Sequence, residues 1–145
     1  MDDEHGPGPH LGSRLGYQLK HAFFALEELH AEHLADGPVN VRELSVLLLL
    51  DGREPESQQQ AAERLGVDRT TMVGLLDSLE DNGLVARQPD PADRRRNVVA
   101  LTPAGRKALK RAKAASDEAE RALLADLSPT EAKQLRELLS RIPHR

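Results

Sequence analysis

Apolar residues recur along the first part of the chain at Leu11, Leu15, Leu19, Ala22, Phe23, Leu26, Leu29 and Leu34. Steps of three and four put them on one helical face, so the spacing predicts a long amphipathic helix ending near Asp36-Gly37-Pro38. Residues 1–10 lack that pattern, carry Gly6-Pro7-Gly8-Pro9 and read as a disordered tail. Asn40 and Glu43 have capping-box spacing, and the run Leu44 to Leu50 behind them predicts a short, deeply buried helix. Asp51 to Pro55 is a turn.

Two short helical patterns come next. Ser57 and Gln60 form a second capping-box pair, Ala61, Ala62 and Leu65 line one buried side, and Gly66 ends the helix. Asp68 caps the next, whose apolar set is Met72, Val73, Leu75, Leu76 and Leu79 and which stops at Asn82-Gly83. Leu84 to Gln88 and Val98 to Leu101 read as the strands of a hairpin. The stretch between them, Pro89 to Asn97, is too long for a tight turn and projects as a wing. Thr102-Pro103 then opens a helix running to about Asp126, with a seam of small residues at Ala108, Ala112, Ala115, Ala119 and Ala122. Ser128-Pro129-Thr130-Glu131 opens the last helix, with Leu135, Leu138, Leu139 and Ile142 on one face.

Helix, turn, helix, wing is the order by which a protein holds one helix in a DNA major groove and an arginine in the neighbouring minor groove. The fold class read from the pattern is mainly α (α+β): a winged helix-turn-helix at 40–102, flanked by long helices at 11–36 and 103–145. The flanking helices carry more apolar stripe than the winged centre can cover, which predicts an intertwined homodimer of two-fold symmetry over a single 11–145 domain.

Charge changes the picture more than composition does. The net balance is −4, yet residues 84–113 hold nine Lys/Arg against two Asp/Glu. Local charge governs phosphate attraction, so the basic wing offsets the acidic total. Lys107, Lys110, Arg111 and Lys113 read equally well as a solvated helix face. The absence of cysteine removes disulfides, thiolate metal sites and thiol nucleophiles together. No nucleophile–base pair, phosphate-cradling loop or metal cluster is visible, so an enzyme is not expected, and neither is a cofactor. His30, His33 and Glu27 have metal-ligand chemistry but read as surface residues of an acidic helix. With no long apolar run and a polar N-terminus, the chain reads as cytoplasmic and free of membrane.

The candidate contacts follow from residue type. The outward face of the second short helix is Arg69, Thr70, Thr71, Gly74, Asp77 and Ser78. Arg69 can give a bidentate contact to guanine, and Thr70 and Thr71 can meet a thymine methyl or a phosphate. Gly74 gives up roughly 1 kcal/mol of helix propensity, which close approach to DNA or to another helix would explain. Ser57, Gln58 and Gln59 open the preceding helix, where free N–H groups suit a phosphate. Arg87 is a further phosphate candidate. At the wing, Arg94, Arg95 and Arg96 suit a narrow minor groove, with the Asp93 carboxylate placed to hold the Arg95 guanidinium. Tyr17, His21, Phe23 and Phe24 form the aromatic cluster outside the tails; Tyr17, His21 and Phe24 are candidates to line a ligand pocket, with core and dimer contacts the favoured reading.

These residues resemble the MarR family of bacterial winged-helix regulators. The resemblance is carried by Leu76-x-x-Leu79-Glu80-x-x-Gly83-Leu84-Val85-x-Arg87, by Asp93-x-Arg95 and by Leu101-Thr102 with Gly105. It implies a homodimer on a pseudo-palindromic operator, usually a repressor, released by a small, often aromatic or phenolic, ligand bound between the dimer and winged parts. It makes Arg95 the minor-groove arginine and Asp93 its partner, and puts Thr70 and Thr71 at the start of the reading helix. The cysteine of oxidant-sensing members and the post-wing histidines of zinc-sensing members are missing here. The reading that follows is a DNA-binding, ligand-released repressor; the alternative is a winged-helix module for protein contacts that does not bind DNA.

Overall fold

Side-chain caps set most of the helix boundaries. A computed structural model describes residues 5–145. Its elements are α1 (Gly8–Gly12), α2 (Leu15–Leu34), α3 (Val41–Leu50), β1 (Glu56–Ser57), α4 (Gln58–Leu65), α5 (Arg69–Asp81), β2 (Val85–Pro89), β3 (Asn97–Leu101), α6 (Pro103–Leu123) and α7 (Pro129–Ser140). Asn40 with Glu43, Ser57 with Gln60 and Ser128 with Glu131 each close a reciprocal capping box. Each box satisfies two N–H groups that the helix itself leaves unpaired. Asp68 and Thr102 cap α5 and α6 with one side-chain acceptor each. Gly66 stands at φ +74°, a left-handed conformation that lets α4 end and the chain turn into α5.

The three strands form an antiparallel sheet in the order β1-β3-β2. Val85 pairs with Leu101 and Pro89 with Asn97 across the hairpin, while Ser57 pairs with Val98. The core lies between this sheet and the helices behind it. Leu44, Val46, Leu47, Met72, Leu76, Leu79 and Val99 are almost fully buried there, with Ala61 and Ala62 closing it from α4. Helix α6 packs along α2. Ala108, Ala112 and Ala119 are buried, as the small-residue seam requires for close helix approach, Ala115 is half-buried and Ala122 exposed. His30 is also buried, its Nε2 2.9 Å from the Ser116 hydroxyl on α6.

Two N-terminal expectations need correction. Of the expected tail, residues 1–4 lie outside the described residues, and Gly8, Pro9 and His10 belong to α1. Pro9 sits at the start of α1, where its fixed φ favours a first helical turn. The expected continuous helix from Leu11 to Leu34 is broken at Ser13-Arg14. Arg14 is extended (φ −78°, ψ 134°), the Ser13 hydroxyl donates to the His10 carbonyl, and Gln18 Nε2 donates to the Gly12 carbonyl. These side chains satisfy the groups a continuous helix would have paired within itself.

Candidate nucleic-acid interface

Three segments far apart in sequence converge on one hollow of about 240 Å³. Ser57, Gln58 and Gln59 come from the start of α4, Arg69 from the first residue of α5, and Arg95 and Arg96 from the wing. Met72, Val73 and Asn97 complete its wall, and none of the lining residues is acidic. Thr70 and Gly74 are exposed on the same helix. A Cβ on Gly74 would meet nothing within 4 Å, so no helix packing requires glycine there. Arg69, Arg94 and Arg95 enter no ion pair among the described residues. Val73 and Asn97 were not singled out from sequence: one sits in the helix's apolar set, the other at the end of the wing, and only the fold brings them to one hollow.

The wing tip is built by aspartates acting on backbone. The Asp90 carboxylate accepts the Ala92 N–H at 2.9 Å, and the Asp90 N–H donates to the Arg96 carbonyl at 2.8 Å. The Asp93 carboxylate accepts the Arg95 N–H at 3.1 Å. Asp93 orders the Arg95 backbone in an Asx turn, and among the described residues its carboxylate makes no ion pair with the Arg95 guanidinium. Arg96 is tied back instead, its Nη2 3.4 Å from the Ser57 hydroxyl.

Three of the remaining candidates face inward or are engaged. Thr71, expected on the outward face, is half-buried; its N–H and hydroxyl donate to the Asp68 carboxylate at 2.7 and 3.0 Å. Two residues on from Arg69 is some 200° around a helix, which turns Thr71 away from the hollow. The Ser78 hydroxyl donates to Glu43 Oε2 at 3.1 Å. The Arg87 guanidinium, offered by the sequence to a phosphate, pairs with Asp77 and lies 3.9 Å from Glu80 Oε2.

A second hollow, of about 540 Å³, opens between α2, α3 and the α4–α5 turn. Phe23, Leu26, Val41, Val67 and Leu75 give it an apolar wall, and His30, Arg42, Ser45, Asp68 and Thr71 bring polar groups. Thr71 thus belongs to this cleft. Tyr17, His21 and Phe24 line neither hollow. Tyr17 stacks on His21 with centroids 6.0 Å apart, and Lys20 Nζ lies 5.6 Å from the Phe24 ring centre. On the N-terminal half of α2, His21 and Phe24 are exposed and Tyr17 is half-buried.

The hydrogen bonds from Thr71 hold the Asp68 carboxyl below its usual pKa. Glu56, next to Ser57 on β1, is also lowered, chiefly by Arg64 and further by Arg53. Both carboxylates are therefore anionic at neutral pH, and Arg64 and Arg53 screen Glu56 beside the hollow. Among the described residues, no group of three or more acidic or histidine side chains is arranged to hold a metal, and no helix is long and apolar enough to cross a membrane.

Comparison with known proteins gives this geometry a family. A family model described as the MarR family matches residues 37–96, from the turn before α3 to the last wing arginine. The putative transcriptional regulatory protein for the hcr operon of Thauera aromatica is 37% identical over 86 residues, 59% of this chain. The chain matches 52% of that relative's length. Among solved structures, a MarR-family transcriptional regulator from Rhodococcus sp. RHA1 superposes with a TM-score of 0.82 at 32% identity, covering 89% of this chain and 91% of that one. The transcriptional repressor CouR bound to a 23-mer DNA duplex superposes at 0.84 with 35% identity, covering 90% and 93%. CouR from Rhodococcus jostii RHA1 bound to p-coumaroyl-CoA gives 0.77 at 33% identity, covering 89% and 91%. Fold, winged centre and relatives agree: the chain belongs to the MarR family of winged-helix transcriptional regulators.

Proposed function

We propose that the chain is a repressor that binds a pseudo-palindromic DNA operator as a homodimer and is released by a small aromatic or phenolic effector. Membership of a regulator family makes it no enzyme. The observation that carries the DNA reading is the acid-free hollow where Ser57–Gln59, Arg69, Arg95 and Arg96 meet. Helix N-terminal N–H groups and arginines suit phosphates, and the protruding Arg95 suits a minor groove. CouR, of the same fold, has been seen on DNA.

Homodimerisation is supported by apolar side chains that nothing in one chain covers. Leu11, Leu15, Leu19, Phe23 and Phe24 are exposed on α1 and α2, and Leu135, Leu138, Leu139 and Ile142 on and after α7. The effector reading rests on the cleft between α2, α3 and α5, whose apolar wall and few polar groups fit a planar apolar body with a polar end. CouR, again, has been seen with p-coumaroyl-CoA.

The test is fluorescence anisotropy of the full chain on DNA from upstream of its own gene and on scrambled DNA across a salt series. Sequence-selective binding is expected, with log affinity falling against log salt at a slope on the order of −5 or steeper for a dimer. Equal weak binding to both, repeated with DNA selected from a random pool, would leave a protein-binding winged helix as the better reading.

A further inference from the structure

Besides the core that Leu76 and Leu79 share with Val85 and Val99, one ion-paired side chain ties the wing hairpin to the second half of α5. Arg87 projects from β2, opposite Val99 of β3, and its guanidinium donates to the Asp77 carboxylate. Its Nε lies 3.9 Å from Glu80 Oε2, and its backbone N–H donates to that same oxygen at 3.1 Å. The Arg87 side chain is only 18% exposed, and Asp77 is 57% exposed. Asp77 lies seven residues after Thr70, two helical turns along the face that also carries Gly74. A carboxylate there faces the same side as the arginines that meet phosphate.

We propose that Arg87 is a positioning residue: it pins the wing to α5 through Asp77 and Glu80, sets the distance between the two DNA-reading parts, and does not itself touch DNA. The proposal rests on the DNA-binding reading above. The Asp77 carboxylate bonds the guanidinium, the Glu80 carboxylate lies 3.9 Å from its Nε, and its stem is covered, so a phosphate contact would require it to leave Asp77. The same pairing removes a repulsive charge: an unpaired Asp77 on the reading face would oppose every nearby phosphate. Helix and wing must fit adjacent grooves together, so a wing free to swing lowers affinity even though every groove-facing side chain is still present.

A salt series separates the two roles. Arg87→Ala, Asp77→Ala and the double variant are measured on operator DNA by anisotropy, and all are melted without DNA. The expected result is about tenfold weaker operator binding for Arg87→Ala with the salt slope of the wild type. The double variant should bind more tightly than Arg87→Ala alone, because the stranded carboxylate is gone. A slope shallower by about 2 for the dimer, with the same loss whether or not Asp77 is present, would make Arg87 a phosphate ligand and overturn the proposal. Unchanged affinity in Arg87→Ala would overturn it too. The melts stand apart from DNA: a non-additive cycle between residues 77 and 87 supports the tie, and an additive one refutes it even if no operator is found.

Discussion

The carbonyl oxygen of Leu84 stands 2.0 Å from where a Cβ on Gly105 would lie. Around this contact the Thr102 N–H donates to the Leu84 carbonyl at 3.1 Å and the Thr102 hydroxyl to the Gly83 carbonyl at 2.6 Å. The Gly105 N–H in turn donates to the Thr102 hydroxyl. The end of α5, the start of the wing and the first turn of α6 therefore meet at one point, with backbone on both sides. Gly105→Ala should destabilise the chain by about 3 kcal/mol, the upper end of typical overpacking effects, because no flexible side chain can yield. Urea denaturation measures it; a loss under about 0.5 kcal/mol would show that the backbone relaxes freely.

Arg95 and Arg96 are neighbours with different tasks. Arg95 is exposed and unpaired among the described residues, whereas Arg96 reaches the buried Ser57 that caps α4. Arg95→Ala is expected to weaken operator binding by roughly 5- to 150-fold with an unchanged melting temperature. Arg96→Ala should lower the melting temperature as well as affinity. Equal effects of the two on affinity, with both melting temperatures unmoved, would refute this division.

Asp93 gives a sharper test, because charge and hydrogen-bond acceptor can be separated there. Its carboxylate accepts the Arg95 N–H, a task an asparagine carbonyl performs equally well. Asp93→Asn should keep operator affinity within about twofold, and Asp93→Ala should lose about fivefold, the equivalent of one hydrogen bond. Were the charge needed to orient the guanidinium, the asparagine variant would lose as much as the alanine one.

Acid should loosen the start of α5 through Asp68. The Thr71 N–H and hydroxyl hold its carboxyl below the usual aspartate value of 3.8, so the folded chain favours the ionised form. That stabilisation is complete above pH 3.8 and is lost as pH falls through the lower folded value. Asp68→Asn keeps an acceptor at the cap, so its melting temperature near pH 7 should stay close to the wild type. Its decline as pH falls below 3.8 should be shallower. Parallel acid limbs in the two proteins would deny Asp68 this part.

What the sequence showed and what it hid divide by distance along the chain. Caps at Asn40, Ser57, Asp68, Thr102 and Ser128 were legible because each is a contact over three residues, and they set the starts of five helices. The break at Ser13-Arg14 was hidden because Leu11, Leu15 and Leu19 keep their four-residue spacing across it. The larger cleft was hidden more deeply: Phe23, Arg42 and Thr71 share no local pattern, and only the packing of α2, α3 and α5 joins them. The partners of Arg87 were hidden for the same reason, since residue type offered it to phosphate and only the fold brings Asp77 and Glu80 against it.

Helix α7 has no buried residue, yet it carries Leu135, Leu138 and Leu139, with Ile142 just beyond its end. A helix of twelve residues is marginal alone in water, and most helical stability comes from packing an apolar face. With Leu138 56% and Ile142 55% exposed, that packing is missing within one chain, and the proposed homodimer would supply it by two-fold symmetry. Sedimentation velocity should give twice the chain mass for the wild type and the single-chain mass for Leu138→Glu combined with Leu139→Glu. The variant's operator affinity should fall by ~100-fold or more, because two half-sites no longer act through one linked protein. A wild type that sediments as a single chain at micromolar concentration would remove the dimer and, with it, the reason to expect a palindromic operator. A variant that stays dimeric would move the interface to the exposed leucines and phenylalanines of α1 and α2.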